Sequence, residues 1–148
     1  MTATVNRTVA STTPAERSAS TPALWRTGVA AGVAAGAATI AVAAIAHAAG
    51  VSLETTPGEA IPLVGFGQLT LFFTAIGVLL ARTIRRRARH PRSTFVRTTV
   101  ALTALSLLPD AILSAGVATK LTLVLTHLVA AAIVVPALSS RLPARSAR

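Results

Sequence analysis

Four apolar blocks decide what this chain can fold into. Each is about 20 residues long, enough to cross a hydrocarbon layer roughly 30 Å thick at about 1.5 Å per residue. They cover about Thr27 to Ala49, Ile61 to Ala81, Thr94 to Ala118 and Lys120 to Ser140. In lipid, every backbone N–H and C=O must be satisfied within the chain, so each block predicts a helix. Short connections force neighbouring helices to run antiparallel. The expected fold is therefore all-α: an integral membrane, up-down four-helix bundle over residues 24–142. Residues 1–23, rich in Ser, Thr, Ala and Pro with no apolar period, are expected to be a disordered tail. Residues 143–148 form a second short tail. Composition agrees, since hydrophobic residues make up 53% of the 148 positions and charged residues only 12%.

The position of the arginines predicts orientation. Arg7, Arg17 and Arg26 precede the first block; Arg82, Arg85, Arg86, Arg87, Arg89, Arg92 and Arg97 lie between or at the edges of the second and third; Arg141, Arg145 and Arg148 follow the fourth. The opposite connections hold only Lys120, together with Glu54 and Glu59 around a Pro-Gly turn. By the positive-inside rule, both termini face the cytoplasm of a bacterial cell, and the protein sits in its plasma membrane. A net charge of +10 also raises nucleic-acid binding. That function needs a solvent-facing basic surface, usually with aromatics for stacking, whereas here the arginines cap apolar blocks and tyrosine is absent. Nucleic acid is excluded as a partner on that ground. A cleavable signal peptide is disfavoured for the first block because its apolar region is too long and its leading segment too extended. The absence of cysteine removes disulfides, thiolate metal sites and thiol redox chemistry.

Within the first block, Gly28, Gly32, Gly36, Thr39, Ala43 and His47 recur at steps of three or four and share one helix face. Small residues there let another helix approach closely. The neighbour is either a helix of the same bundle or one of a second copy or membrane partner.

The third block carries a polar face made of Thr99, Thr103, Ser106, Asp110 and Ser114. Hydroxyls on such a face bond to carbonyls of the preceding turn at little cost. Asp110 differs, since hydrocarbon penalises a carboxylate by at least about 2.5 kcal/mol, so it must face the bundle interior or a wet cavity. Pro109 beside it leaves the carbonyl of Leu105 without its helical partner and predicts a kink. Counted from the predicted block ends, Asp110, His127 and Gln68 fall at one level, each about 10 Å in. These three form the candidate intramembrane polar cluster. It is either structural glue between helices or a proton- or cation-binding site. No Walker loop, zinc spacing, nucleophile elbow or pair of catalytic carboxylates occurs, and no cofactor is implied. His47 and His127 differ in predicted depth by about 10 Å, which disfavours a haem held between them. An enzyme is not expected.

The segments LWRTGVAAG, AAGVSLE, IPLVGFGQLT, RHPRSTFVRTTVALTALSLLPDAI and THLVAAAIVVPAL together resemble an uncharacterised actinobacterial family of small four-helix membrane proteins, domain of unknown function 6069. The resemblance covers about residues 24 to 142 and implies a membrane protein with no established activity. Small multidrug transporters are similar in size and helix number, but their essential glutamate lies in the first helix, where this chain has no carboxylate. The sequence thus points to a structural or accessory membrane subunit, with the lipid bilayer and a like or unlike membrane protein as partners. The alternative is a small proton- or cation-coupled carrier using Asp110 and His127.

Overall fold

Glycine and alanine at every third or fourth position give the first helix a flat face, and the rest of the chain is arranged around it. The computed structural model describes residues 21–56, 58–112 and 115–145. Helix α1 is Thr21–Ala48, α2 is Leu63–Arg87, α3 is Pro91–Ile112 and α4 is Val117–Ser139. Between α1 and α2 lies a two-stranded antiparallel hairpin, β1 (Glu54–Thr56) and β2 (Glu59–Ala60). The helices alternate in direction, so one end of the bundle carries the hairpin. The other gathers Arg26, the arginines between α2 and α3, and Arg141 and Arg145. These are called the hairpin end and the basic end below.

The chain is an all-α four-helix bundle, and α1, α2 and α4 are long and apolar enough to cross a membrane. Among the described residues α3 is not one of the helices that reach that standard. Element ends depart from expectation in three places. α1 is already helical at Thr21, inside the segment expected to be a tail, and its Leu24 is fully buried in the core at the basic end. Residues 1–20 lie outside the described part. α2 continues to Arg87, and Arg85, Arg86 and Arg87 in its last turn suit the negative end of the helix dipole. α3 was expected to reach residue 118, but residues 115 and 116 are not helical, and α4 begins at Val117 behind an extended Gly116 (φ −63°, ψ 153°). Pro109 lies inside helical residues and frees the carbonyl of the preceding turn, while Gly116, extended just before α4, marks the break between the two helices.

α1 packs mainly on α2 and α4, and α3 packs on α4 and α2 from the other side. Gly28, Gly32, Gly36, Thr39 and Ala43 are all buried, while His47, last on the same face, is exposed. Gly28 lies against Val78 and Leu138, Gly32 against Thr74 and Leu71, and Gly36 against Gly67. The small-residue face is thus occupied within the chain, chiefly by α2.

Two hydrophobic clusters close the ends of the bundle. At the basic end Leu24, Val78, Ala81, Ile84, Phe95, Leu138 and Leu142 pack together. At the hairpin end Ala43, Leu53, Phe66 and Leu123 do so. Leu53 adopts φ 56°, uncommon for a branched residue, and that turn drives its side chain to 2% exposure inside the cluster. The backbone there is held by Ile61 N–H donating to the Leu53 carbonyl at 3.1 Å.

Candidate functional site

Between the two end clusters the bundle is not filled. α3 is buried at its beginning, through Pro91 and Phe95, and again at Asp110, but no described residue between Phe95 and Asp110 is buried. The same interval of α4, from His127 to Ala137, also lacks a buried residue. The result is a cavity of about 450 Å³ between α2, α3 and α4.

The polar face read on α3 lies on this cavity: Thr99, Thr103 and Ser106 form part of its wall. Ser114 lies outside the described residues. Opposite them stand Thr126 and His127 of α4, with Thr70 and Thr74 of α2. Most of these hydroxyl protons are already committed. Thr70 donates to the Phe66 carbonyl (2.7 Å), Thr74 to Thr70 (2.7 Å), Thr99 to Phe95 (2.9 Å), Ser106 to Thr103 (2.7 Å) and Thr126 to Leu123 (2.8 Å). Each thereby commits its proton to a carbonyl of its own helix. Thr39 on α1 bonds the Gly36 carbonyl and meets the Thr70 hydroxyl at 3.1 Å, joining α1 to α2. This pair was missed in the sequence. Its signal was present in Thr39 on the small-residue face and in the four-residue spacing of Phe66, Thr70 and Thr74.

Asp110 and His127 are brought together at the hairpin side of the cavity. His127 Nδ1 lies 3.1 Å from Asp110 Oδ2 and 2.9 Å from the carbonyl of Leu123 on its own helix. Asp110 is 6% exposed, whereas His127 lies half-buried on the cavity wall. Two oxygens around Nδ1 require a proton on that nitrogen, since a bare nitrogen there would set three lone pairs against one another. One proton cannot point well at both acceptors. The Leu123 carbonyl receives it in good geometry, and Asp110 Oδ2 is buried without a well-aligned hydrogen-bond donor. The contact with Asp110 is therefore an electrostatic approach more than a formed hydrogen bond.

The pair also fixes the level of α3. His127 lies ten residues into α4, about 15 Å, whereas Asp110 lies two residues from the end of α3, about 3 Å. Their contact sets Ile112 roughly 12 Å away, along the bundle, from the start of α4 at Val117. Asp110 is thus in the last turn of α3, and its partner stands near the middle of α4.

Gln68 does not join them. It is exposed, makes no hydrogen bond to either residue, and is absent from the cavity wall. The cause is rotation about the helix axis. α2 turns Phe66, Gly67, Thr74 and Val78 inward, and residue 68 falls on the outward side. Counting residues from a block end leaves that azimuth open. Gly28, Gly32 and Gly36 lie on α1 against α2 and take no part in the cavity wall. Among the described residues no group of three His, Asp or Glu side chains is placed to hold a metal ion.

No curated protein and no solved structure matches this chain. A family model does match, over residues 19–144, which takes in all four helices, the hairpin and the Asp110–His127 pair. The chain belongs to the family of unknown function DUF6069.

Proposed function

We propose that this is a multi-pass plasma-membrane protein with both termini in the cytoplasm, serving as a structural or accessory subunit in which Asp110 and His127 clamp α3 to α4. The observation that carries this reading is the placement of Asp110. It is the one acidic residue in the four helices, it is buried, and it meets His127 without lying on the cavity wall. A carboxylate serving as a carrier site would have to meet its ion or proton from water. The alternative reading, a small proton- or cation-coupled carrier, draws support from Asp110 Oδ2, a buried oxygen lacking a well-placed donor.

Two measurements separate these readings. The chain has no cysteine, so Asp110→Cys provides a single thiol. The clamp predicts no modification of that thiol by a membrane-impermeant reagent applied to either side. Labelling from one side would establish a water path and favour the carrier. A double-mutant cycle of Asp110→Asn and His127→Ala, read by thermal denaturation in detergent, tests the contact itself. The clamp predicts a coupling of about 0.6 to 1.7 kcal/mol, the range of intramembrane polar pairs, and additive losses would remove it.

A further inference from the structure

The geometry points to a second property of the bundle: the cavity between α2, α3 and α4 is a binding site for one acyl chain of a membrane phospholipid, admitted sideways through the gap between α2 and α3. This rests on the membrane placement proposed above. Four residues both line the cavity and are exposed, and they mark its mouth. They are Leu69, Phe73 and Ile76 on α2 and Leu102 on α3. All are apolar, and those on α2 lie well inside a helix long enough to cross a membrane. Both ends of the cavity are stoppered, by Phe95 with its cluster and by Phe66 and Leu123 with theirs. The way in is therefore lateral, from the hydrocarbon, and not along the bundle axis from water.

The interior suits hydrocarbon. Five wall hydroxyls have their protons bonded to carbonyls of the same helix. A cavity water needs two to four polar partners, and apolar cavities remain dry or take apolar guests. The volume of about 450 Å³ lies within the range of ligand pockets. Along α4 the wall runs from Leu123 to Val135, about 18 Å. A partner helix crossing the membrane is about 30 Å long, so it would pass both stoppers and cover only the mouth. An acyl chain has a free end and can stop inside.

The test uses the full chain reconstituted into phosphatidylethanolamine and phosphatidylglycerol vesicles, with a phospholipid carrying a diazirine midway along one acyl chain. After irradiation, cross-linked residues are mapped by mass spectrometry. Inner-wall residues Thr126 and Ala131 are expected to carry label, alongside outward-facing Val33 of α1. Gly77→Leu and Ala131→Phe each fill the cavity from a wall position. A Cβ at Gly77 meets only Leu138, at ordinary contact distance. In either variant, Thr126 should lose its label while Val33 keeps it. Label on Val33 but not on the wall of the wild-type protein overturns the proposal while leaving the membrane placement intact, and this arm needs no variant to fold. No label on any helix overturns both. Wall labelling that survives both substitutions also overturns it.

Discussion

At the scale of single residues, the most consequential choice is a carboxylate in the last turn of α3. A negative group at a helix C-terminus opposes the helix dipole, so Asp110 gains nothing from its own helix. Among the described residues, His127 stands 3.1 Å from it. Removing one member of a buried pair leaves the other unsatisfied, whereas replacing both by apolar groups of similar volume is often nearly neutral. His127→Leu is accordingly expected to cost about 1–3 kcal/mol by stranding Asp110. Adding Asp110→Leu should recover most of that loss, and melting curves of the three proteins in one detergent check it. Recovery would mark the pair as a specifier of position more than a source of stability. The glycines give a second contrast. A Cβ on Gly28 would collide with Cγ2 of Val78, a stiff β-branched side chain. Gly28→Val should therefore destabilise by about 1–3 kcal/mol through overpacking. Gly116 has open space around it and an ordinary φ of −63°. There, Gly116→Ala should stay within about 0.5 kcal/mol of the parent, because the gain from restricting the unfolded chain is offset by alanine's poor fit at the helix N-cap.

At the scale of elements, α3 is held at two points, Phe95 and Asp110, and stands off the bundle between them. Its stability should follow that layout. Phe95→Ala, at 0% exposure, is expected to lower stability by about 3 kcal/mol or more. Leu102→Ala, on the cavity rim, should stay within about 0.5 kcal/mol of the parent. Equal losses at both sites would mean that α3 is packed along its whole length. Much of this element was legible in advance, because a 3.6-residue period fixes which side chains share a face. Thr99, Thr103, Ser106 and Asp110 could be grouped from spacing alone, as could Gly28, Gly32 and Gly36. Spacing also allowed Asp110 and His127 to be matched in depth. Gln68 was mismatched because depth leaves helix rotation undetermined. The break between α3 and α4 was missed because the apolar run continues through Leu113 towards residue 118, with only Gly116 to mark it. The cavity could not be read at all, since it arises from how far three separate helices stand apart. No local pattern records that distance.

At the scale of the whole molecule, charge is the most unevenly distributed property. The basic end holds Arg26, Arg82, Arg85, Arg86, Arg87, Arg89, Arg92, Arg141 and Arg145, and the hairpin end holds Glu54, Glu59 and Lys120. Each arginine near an anionic cytoplasmic leaflet is worth about 1 kcal/mol, and translocating such a cluster is resisted further by the membrane potential. In the membrane placement proposed above, one orientation would thus be favoured by several kcal/mol in sum. The expected outcome follows from placing single thiols at the two ends. Thr56→Cys in the hairpin should react with a membrane-impermeant maleimide on intact cells, and Ala144→Cys at the basic end only after permeabilisation. Both positions are exposed, so lack of reaction cannot be assigned to burial. The reverse pattern would invert the proposed topology, and labelling of both thiols on intact cells would mean that the two ends share one side. Neutralising Arg82, Arg85, Arg86, Arg87 and Arg89 while adding lysine at positions 54 and 59 should then yield a mixture of orientations. If arginine placement sets the topology, Ala144→Cys becomes partly reactive on intact cells in that background. If hydrophobic order alone sets it, the labelling pattern stays unchanged.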